Sequence, residues 1–335
     1  MLPRNAQHLV FVADLGPVDR PVRDWDGLAA ALGPDAGNVR RYINQGAVEL
    51  LLLRYERGGA YGMLAIATAP GRDGGPPTLR PAEAADTSQR SRTLRAGPQA
   101  KRLGDVRVAI VGCGAVGSYV ADLLCREGVR RFHLVDPDTY RPGNVIRHAA
   151  PRHLVGHLKV DAVAETLRSL GLGTPTIDRD ETRLSTPDDA LHLVHEFHLV
   201  LDASADERAT ALLRWAAEST GRPVVAVCVQ RDGGIARADR VPLRGDEDHL
   251  PVVPVPTQSA SPIRERGCGD SVSPTPPSAV VAAAELAVEL ARDELTLECS
   301  LPASVLRVLQ SQPDEPYTTV TTMTSRRRGA TTDTP

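Results

Sequence analysis

The stretch from Val106 to Gly117, VRVAIVGCGAVG, restricts the possible folds more than any other part of this sequence. It begins with a run of β-branched and small apolar residues, which is typical of a parallel strand covered on both faces. Gly112, Gly114 and Gly117 follow with the G-x-G-x-x-G spacing, which permits a tight turn, the approach of a phosphate to the backbone, and close packing of the next helix. The stretch therefore predicts a strand, a turn and a helix whose free N–H groups and dipole face an anion.

A second apolar strand, FHLVD, ends in Asp136, where an acid that binds ribose hydroxyls is expected. Glycine turn and acid together fit any dinucleotide-binding fold. An NAD-dependent oxidoreductase therefore remains an open interpretation at this point.

The residues that follow the second strand favour a nucleoside triphosphate over a nicotinamide cofactor. Asp136 and Asp138 lie two residues apart, and Asn144 and Arg147 lie one helical turn apart, so the latter two can point the same way. Lys159 follows in an amphipathic segment. An acid can hold ribose hydroxyls, and an Arg and a Lys can bind phosphates and offset charge that develops during transfer. Taken singly, each of these residues is more simply interpreted as an ordinary surface charge.

A third apolar strand ends in Asp202, and Asp206 stands at the start of the next helix. An Asp at the carboxyl end of a parallel strand lies where open α/β sheets bind ligands, and it could hold Mg²⁺ beside phosphate oxygens. The alternative is that both aspartates cap the helix that follows.

Composition excludes several classes of protein. The chain has 335 residues, of which 41% are hydrophobic and 24% charged, as expected for a globular protein with one large α/β domain and a smaller one. A net charge of −3 gives no bulk attraction to nucleic acid or to an anionic membrane surface. Its apolar stretches are shorter than a membrane span, and the five cysteines include no C-x-x-C pair. We therefore expect a cytoplasmic protein without structural zinc.

Changes in composition predict the domain organisation. Residues 1–70 look like a small α+β module, either a structural cap or a docking module for a partner or substrate. Residues 71–90 are rich in Pro and Gly and predict a linker. Residues 91–300 form the predicted nucleotide-binding domain, with an irregular segment at 242–280. Residues 301–335 are predicted to be a partly disordered tail.

The irregular segment contains Cys268, which is flanked by glycines and followed by Asp270. Arg264 and Arg266 would favour its thiolate form, although a single cysteine is weak evidence for a reactive thiol.

From Ser91 to Leu295 the chain resembles the ThiF/MoeB/HesA superfamily of adenylyltransferases, which includes the ubiquitin-activating enzymes. The lead SRTLRAGPQAKRL resembles the family's S-R-Q…Q-x-K-L, and DPDTYRPGNVIRH resembles its D-x-D…N-L-x-R-Q. The resemblance implies a Rossmann-like, doubly wound sheet. It also implies that Asp136 binds ribose, that Asn144, Arg147 and Lys159 contact phosphates, and that Asp202 is catalytic and associated with Mg²⁺.

The same resemblance implies a function. An enzyme of this kind uses ATP and Mg²⁺ to activate the C-terminal carboxylate of a small carrier protein or precursor peptide as an acyl-adenylate. It implies a homodimer in which Arg92 reaches the partner's site, and a thiol at Cys268 that captures the acyl group. His148 departs from the family's Gln, and the zinc-binding C-x-x-C pairs of bacterial members are absent. A ThiF-like binding partner without turnover is therefore a further alternative.

Overall fold

The computed structural model of the chain describes residues 9–18, 22–254, 263–264 and 271–325; for residues 89, 90, 263, 264, 271 and 272 it describes the backbone alone. The chain divides into two units, Met1–Thr87 and Ser88–Pro335. Within the described ranges, no helix is long and apolar enough to cross a membrane.

The first unit is a four-stranded sheet with two helices. In chain order it contains β1 (Leu9–Pro17), α1 (Trp25–Leu32), α2 (Ala36–Asn44), β2 (Val48–Arg57), β3 (Ala60–Ala69) and β4 (Thr78–Ala82). The strands lie in the order β1-β2-β3-β4, with β1 parallel to β2 and the other pairs antiparallel. Leu28 of α1 and Ile43 of α2 pack with Leu51 and Leu53 of β2 in the core of this unit.

The prediction of a linker over residues 71–90 is wrong for Thr78–Ala82. These residues form β4, in which Leu79 packs against the core of the first unit. Pro81 lacks an N–H group, and β4 can accommodate it because it is an edge strand. The Pro and Gly content of this segment therefore concealed a short edge strand.

The second unit is built on an eight-stranded sheet. Its strands lie in the order β14-β13-β10-β9-β8-β5-β6-β7, and the five from β9 to β7 are parallel. The elements are, in chain order, α3 (Gln89–Thr93), α4 (Ala100–Leu103), β5 (Arg107–Val111), α5 (Ala115–Glu127), β6 (Arg131–Val135), α6 (Lys159–Ser169), β7 (Thr176–Asp180), α7 (Pro187–Glu196), β8 (Leu199–Asp202), α8 (Glu207–Thr220), β9 (Val224–Gln230), β10 (Ile235–Val241), β11 (Ile263–Arg264), β12 (Ser271–Val272), α9 (Pro277–Thr296), β13 (Ser304–Val308) and β14 (Thr321–Thr324).

Helices cover both faces of the parallel strands, as predicted for a doubly wound fold. Helices α5, α6 and α9 pack on one face, where they contact Val108 and Ile110 of β5. Helices α7 and α8 pack on the other, where they contact Ala109 and Val111 of the same strand. Because successive side chains of a strand point to opposite faces, a strand buried in this way must be apolar at every position.

The prediction of a tail over residues 301–335 is wrong up to Ser325. Strand β13 pairs with β10, and β14 pairs with β13, so this segment extends the main sheet. Residues 326–335 lie outside the described residues. Of the predicted irregular segment 242–280, residues 242–254 contain no helix or strand, whereas β11 and β12 form a short antiparallel pair.

Candidate functional site

A cavity of about 290 Å³ lies at the carboxyl ends of β5, β6 and β8. Strand β5 lies between β6 and β8. The chain continues from β5 to β6 on one side of it and later returns to form β8 on the other side. Ligands of doubly wound proteins bind at such a switch point. The cavity is lined by Val111, Gly112, Gly114, Val135, Asp136, Pro137, Asp138, Lys159, Thr182, Arg183, Leu184, Ala203, Ser204, Ala205, Asp206 and Ala209.

The glycine turn forms one wall of the cavity and brings two backbone segments into close contact. Gly112 has a φ of +91°, and a Cβ there would lie 2.5 Å from the Cα of Ser204. A Cβ on Gly117 would lie 1.8 Å from the carbonyl oxygen of Gly112, so only glycine lets α5 begin this close to the turn. Gly117 does not line the cavity; it packs behind it, as its predicted role requires.

Gly114, unlike Gly112 and Gly117, is not crowded by other protein atoms. A Cβ at this position would have no protein atom within 4 Å, so it would project into open space at the cavity wall. Gly114 precedes the first turn of α5, which has no side-chain cap and no acidic residue. The N–H groups of that turn are therefore available to an anion, as the glycine pattern predicts.

Asp136 lines the cavity and is 5% exposed. Its Oδ2 accepts a hydrogen bond of 2.7 Å from the N–H of Cys113, and its Oδ1 accepts one of 2.9 Å from the N–H of Asp138. Burial raises the pKa of this carboxyl group, and the nearby ammonium of Lys159 opposes the rise. The carboxylate is thus held by the glycine turn, and each oxygen keeps a lone pair for a ligand hydroxyl.

Lys159 is the first residue of α6, and its side chain reaches into the same cavity. Its Nζ lies 2.6 Å from Oδ2 of Asp138 and 3.8 Å from Oδ1 of Asp136. The hydrogen bond from Lys159 lowers the pKa of Asp138. The site therefore holds one ammonium between two carboxylates and has a surplus of negative charge at this end.

The two aspartates that follow β8 have different surroundings. Asp202 is 3% exposed and is not among the described residues that line the cavity. Its oxygens accept hydrogen bonds from the N–H and hydroxyl of Ser204 and from the hydroxyl of Thr210. Its carboxylate thus fixes the turn that carries Ser204 and the first turns of α8. Its assignment as the catalytic and metal-associated residue stays a prediction.

Asp206 lines the cavity and also caps α8. Its Oδ1 accepts hydrogen bonds from the N–H groups of Arg208 and Ala209. The Ala209 N–H makes the largest contribution to lowering the pKa of the Asp206 carboxyl group. Its Oδ2 faces the guanidinium of Arg183 at 2.8 Å. Asp206 therefore caps the helix, as one sequence interpretation has it, and it also lines the cavity, a place that the sequence analysis gave to Asp202.

Arg183, Thr182 and Ser204 are cavity residues that the sequence analysis did not single out. Arg183 and Thr182 follow β7, a short strand with exposed charged residues and no apolar run to mark it. Ala205 adjoins Ser204 and has a φ of +53°, a conformation that a non-glycine residue rarely adopts. No residue-type pattern encodes that strain, so only the backbone geometry reveals this wall.

Asn144 and Arg147 do not line the cavity among the described residues. Asn144 accepts a hydrogen bond from the N–H of Arg141 within a short 3₁₀ turn. Arg147 donates a hydrogen bond of 3.0 Å to the carbonyl oxygen of Ser273, which directly follows β12. Their predicted phosphate contacts remain predictions.

Arg92 donates a hydrogen bond to the carbonyl oxygen of Gly171 and likewise does not line the cavity. Cys268, the predicted acyl acceptor, lies outside the described residues.

His148 replaces the glutamine expected from the resemblance, and it is buried against Tyr140, with ring centroids 5.4 Å apart. Burial lowers the pKa of its imidazole to about 4, with smaller contributions from Lys159 and Arg147. The ring is therefore neutral at physiological pH, as a glutamine side chain would be.

The cavity fits the phosphates and ribose of a nucleotide. The open space at Gly114, the free N–H groups of α5 and the ammonium of Lys159 suit phosphates, and Asp136 suits ribose hydroxyls. Asp138 and Asp206 provide two carboxylates beside them, a number that suits Mg²⁺ when phosphate oxygens complete its ligands. No cluster of three or more His, Cys, Asp or Glu side chains occurs among the residues described, so a metal site made of protein ligands alone is not seen there.

Comparisons with known proteins agree with this geometry. Residues 89–238 match the ThiF family. Over 119 residues the chain is 36% identical to the ATP-dependent ubiquitin transferase-like protein Cap2 of Escherichia coli (strain TW11681), a match that covers 34% of this chain and 19% of Cap2. Over 134 residues it is 34% identical to the adenylyltransferase and sulfurtransferase MOCS3 of Sus scrofa, covering 40% of this chain and 29% of MOCS3.

The chain thus spans less than a third of the length of these two relatives. Among solved structures, E. coli MccB with ATP superposes with a TM-score of 0.53 at 15% identity, covering 75% of this chain and 74% of that chain. At this identity the likeness shows a shared fold.

Proposed function

We propose that this chain, whose residues 89–238 match the ThiF family, is an ATP-dependent adenylyltransferase that activates the C-terminal carboxylate of a small carrier protein or peptide. One observation supports the proposal above all. A single cavity combines the glycine turn, a buried carboxylate, a lysine and two further carboxylates at the switch point of the sheet.

The chain's own groups account for nucleotide binding. The N–H groups of α5 and the ammonium of Lys159 bind phosphate oxygens, and Asp136 accepts hydrogen bonds from ribose hydroxyls. Since Cys113 and Asp138 hold Asp136 by their N–H groups, its carboxylate is oriented before the nucleotide arrives. Such preorganisation lowers the entropy cost of binding.

The reaction itself requires positioning more than covalent chemistry. The substrate carboxylate attacks the α-phosphorus of ATP, the bond to the β-phosphate oxygen breaks, and an acyl-adenylate and pyrophosphate form. Lys159 and the α5 N–H groups stabilise the charge that builds up on the phosphate oxygens. Mg²⁺ bound near Asp206 and Asp138 would neutralise further phosphate charge.

Asp206 is the better candidate for the acid that faces the nucleotide, and Asp202 is better suited to a positioning role. Asp206 lines the cavity, and its Oδ2 contacts the side chain of Arg183, which is 64% exposed. A cation can displace Arg183 without unfolding any element. Asp202 would first have to release Ser204 and Thr210.

Two finer parts of the proposal rest on the family resemblance. Arg92 contributes to the site of a second copy in a homodimer. The Cys268 thiolate attacks the acyl carbonyl and releases AMP, which leaves the acyl group on sulfur as a thioester.

ATP–pyrophosphate exchange with a candidate carrier tests the proposal, using the isosteric pair Asp206→Asn and Asp202→Asn. We expect Asp206→Asn to reduce exchange by about 10²-fold or more, while thermal stability and ATP binding change little. Asp202→Asn should lower thermal stability, because it weakens buried hydrogen bonds to a charged group, each worth about 1.5–3 kcal/mol.

Four results would each contradict a part of the proposal. Full exchange activity in Asp206→Asn would remove that residue from the site. Binding of NAD without binding of ATP would favour an oxidoreductase. ATP binding without exchange for any carboxylate substrate would favour a ThiF-like binding partner. A Cys268→Ala variant that still completes transfer would exclude the thiol step alone.

A further inference from the structure

Arg183 lies beside the two carboxylates that the proposed function assigns to Mg²⁺. Its guanidinium is 2.8 Å from Oδ2 of Asp206. The hydrogen bond from Lys159 is the main cause of the lowered pKa of Asp138, and the charge of Arg183 adds to this effect. All four side chains belong to residues that line the nucleotide cavity. The guanidinium of Arg183 therefore acts on both of these carboxylates.

Asp206 offers a cation one of its two oxygens. Its Oδ1 accepts hydrogen bonds from the N–H groups of Arg208 and Ala209, and these bonds occupy both of its lone pairs. Its Oδ2 is the oxygen that faces the guanidinium of Arg183. Two positive charges within a few ångströms of one oxygen repel each other. Arg183 and a divalent cation therefore compete for the same atom.

The backbone that carries Arg183 is held on both sides, whereas its side chain is held weakly. The N–H of Thr182 donates a hydrogen bond of 2.8 Å to Oδ1 of Asp180, and Leu184 packs in the core with helices α7 and α8. The side chain of Arg183 is 64% exposed and pairs with Asp206. Because an exposed ion pair contributes little, a change of rotamer releases the guanidinium without any movement of the backbone.

Phosphates provide a new partner for the released guanidinium. Arg183 lines the same cavity as Gly114 and Lys159, where the phosphates of a nucleotide fit. A guanidinium binds two phosphate oxygens at once, and its charge persists at any physiological pH. When Arg183 moves from the carboxylate to a phosphate, a divalent cation can take its position at Oδ2 of Asp206. Every charge then remains paired.

We propose that Arg183 couples the binding of the two ligands, because it opposes a divalent cation at Asp206 until a nucleoside triphosphate binds the guanidinium. This role depends on the proposed function in one respect, the location of nucleotide and cation in this cavity. Removal of the guanidinium should therefore affect the two ligands in opposite directions. The cation alone binds more tightly, and the nucleotide alone binds more weakly.

Arg183→Gln tests this role, and Arg179→Gln is its control. Arg179 belongs to β7, which precedes the segment that carries Arg183. It is 47% exposed and pairs with Asp161, and it is not among the described residues that line the cavity. Both substitutions remove one exposed positive charge that pairs with an aspartate. Only Arg183→Gln removes it from the cavity.

Two binding measurements on the full chain are needed. Electron paramagnetic resonance measures the affinity for Mn²⁺, which replaces Mg²⁺, without nucleotide, and isothermal titration calorimetry measures the affinity for ATP in EDTA. Arg183→Gln should bind Mn²⁺ about two- to fivefold more tightly than the unchanged chain, since an exposed ion pair no longer competes. It should bind metal-free ATP about fivefold or more weakly, because a charge-assisted hydrogen bond to phosphate is lost. Arg179→Gln should change either affinity less than about 1.5-fold, because salt screens its charge.

Each contrary result has a definite meaning. Mn²⁺ binding by Arg183→Gln that is no tighter than that of the unchanged chain overturns the coupling, and so does an equal affinity of the two proteins for metal-free ATP. The same changes in Arg179→Gln would reduce the effect to general surface charge and overturn it as well. If the unchanged chain binds no ATP at all, the proposed function fails together with this role. ATP binding that Arg183→Gln leaves intact overturns the role of Arg183 alone.

Discussion

The glycine turn permits a matched pair of substitutions, Gly114→Ala and Gly117→Ala, that separate ligand binding from packing. Each substitution adds one methyl group, and the two positions are three residues apart. At Gly117 the new Cβ would lie 1.8 Å from the carbonyl oxygen of Gly112, whereas at Gly114 it would meet no protein atom within 4 Å. The two variants should therefore fail in different ways.

For Gly117→Ala the expected effect is on stability. The contact must lengthen from 1.8 Å to at least 3.0 Å, a shift of 1.2 Å between α5 and the turn. Overpacking of this kind costs about 1–3 kcal/mol or more, and the better helix propensity of Ala returns about 1 kcal/mol. With a net loss of about 2 kcal/mol, we expect the midpoint of thermal unfolding to fall by roughly 4–8 °C.

For Gly114→Ala the expected effect is on nucleotide binding. Gly114 has an extended backbone with φ −74°, so alanine at this position avoids the penalty of a positive φ. The poorer N-cap of Ala and the smaller entropy of its unfolded chain are each worth up to about 1 kcal/mol and nearly cancel. The methyl group occupies the space that a phosphate needs, so one or two charge-assisted hydrogen bonds are lost and affinity for ATP falls about 10²-fold.

Differential scanning fluorimetry and isothermal titration calorimetry with ATP measure the two effects. The reasoning is refuted if Gly114→Ala binds ATP as the unchanged chain does, because the phosphates then lie elsewhere. It is also refuted if Gly117→Ala unfolds at the same temperature as the unchanged chain.

Three further predictions concern individual side chains. Lys159→Ala should reduce pyrophosphate exchange about 10²-fold and raise the pKa of Asp138, because the hydrogen bond from Lys159 lowers it; kinetics and an NMR titration measure these changes. The neutral His148 stabilises the fold fully above its ordinary pKa of 6.5, and that contribution is lost as the pH falls towards about 4. His148→Gln should therefore lose less stability than the unchanged chain between pH 7 and pH 4, by about 3 kcal/mol in urea unfolding, and equal losses would contradict a buried neutral ring. If Arg92 acts across a homodimer, mixing inactive Arg92→Ala and Lys159→Ala proteins should restore about a quarter of the exchange activity, and no recovery after subunit exchange would place Arg92 outside the partner's site.

The prediction of the Rossmann-like sheet succeeded because its signals are local. A strand buried on both faces needs an almost unbroken apolar run, and short runs of this kind stand at 108–111 in β5, at 134–135 in β6 and at 199–201 in β8. The edge strands β4 and β14 carry no such signal. Each is paired on one side only, so polar residues and a proline are tolerated, and the sequence analysis assigned these strands to a linker and a tail.

Sequence alone determined the fold class and brought the glycine turn, Asp136, Asp138 and Lys159 together at one cavity, because they belong to elements whose ends must meet at one edge of a parallel sheet. Only the tertiary structure decided which aspartate after β8 faces the cavity. It also placed Arg183 beside Asp206. These facts depend on backbone dihedral angles and on contacts between residues far apart in the chain, which no local pattern of residue types encodes.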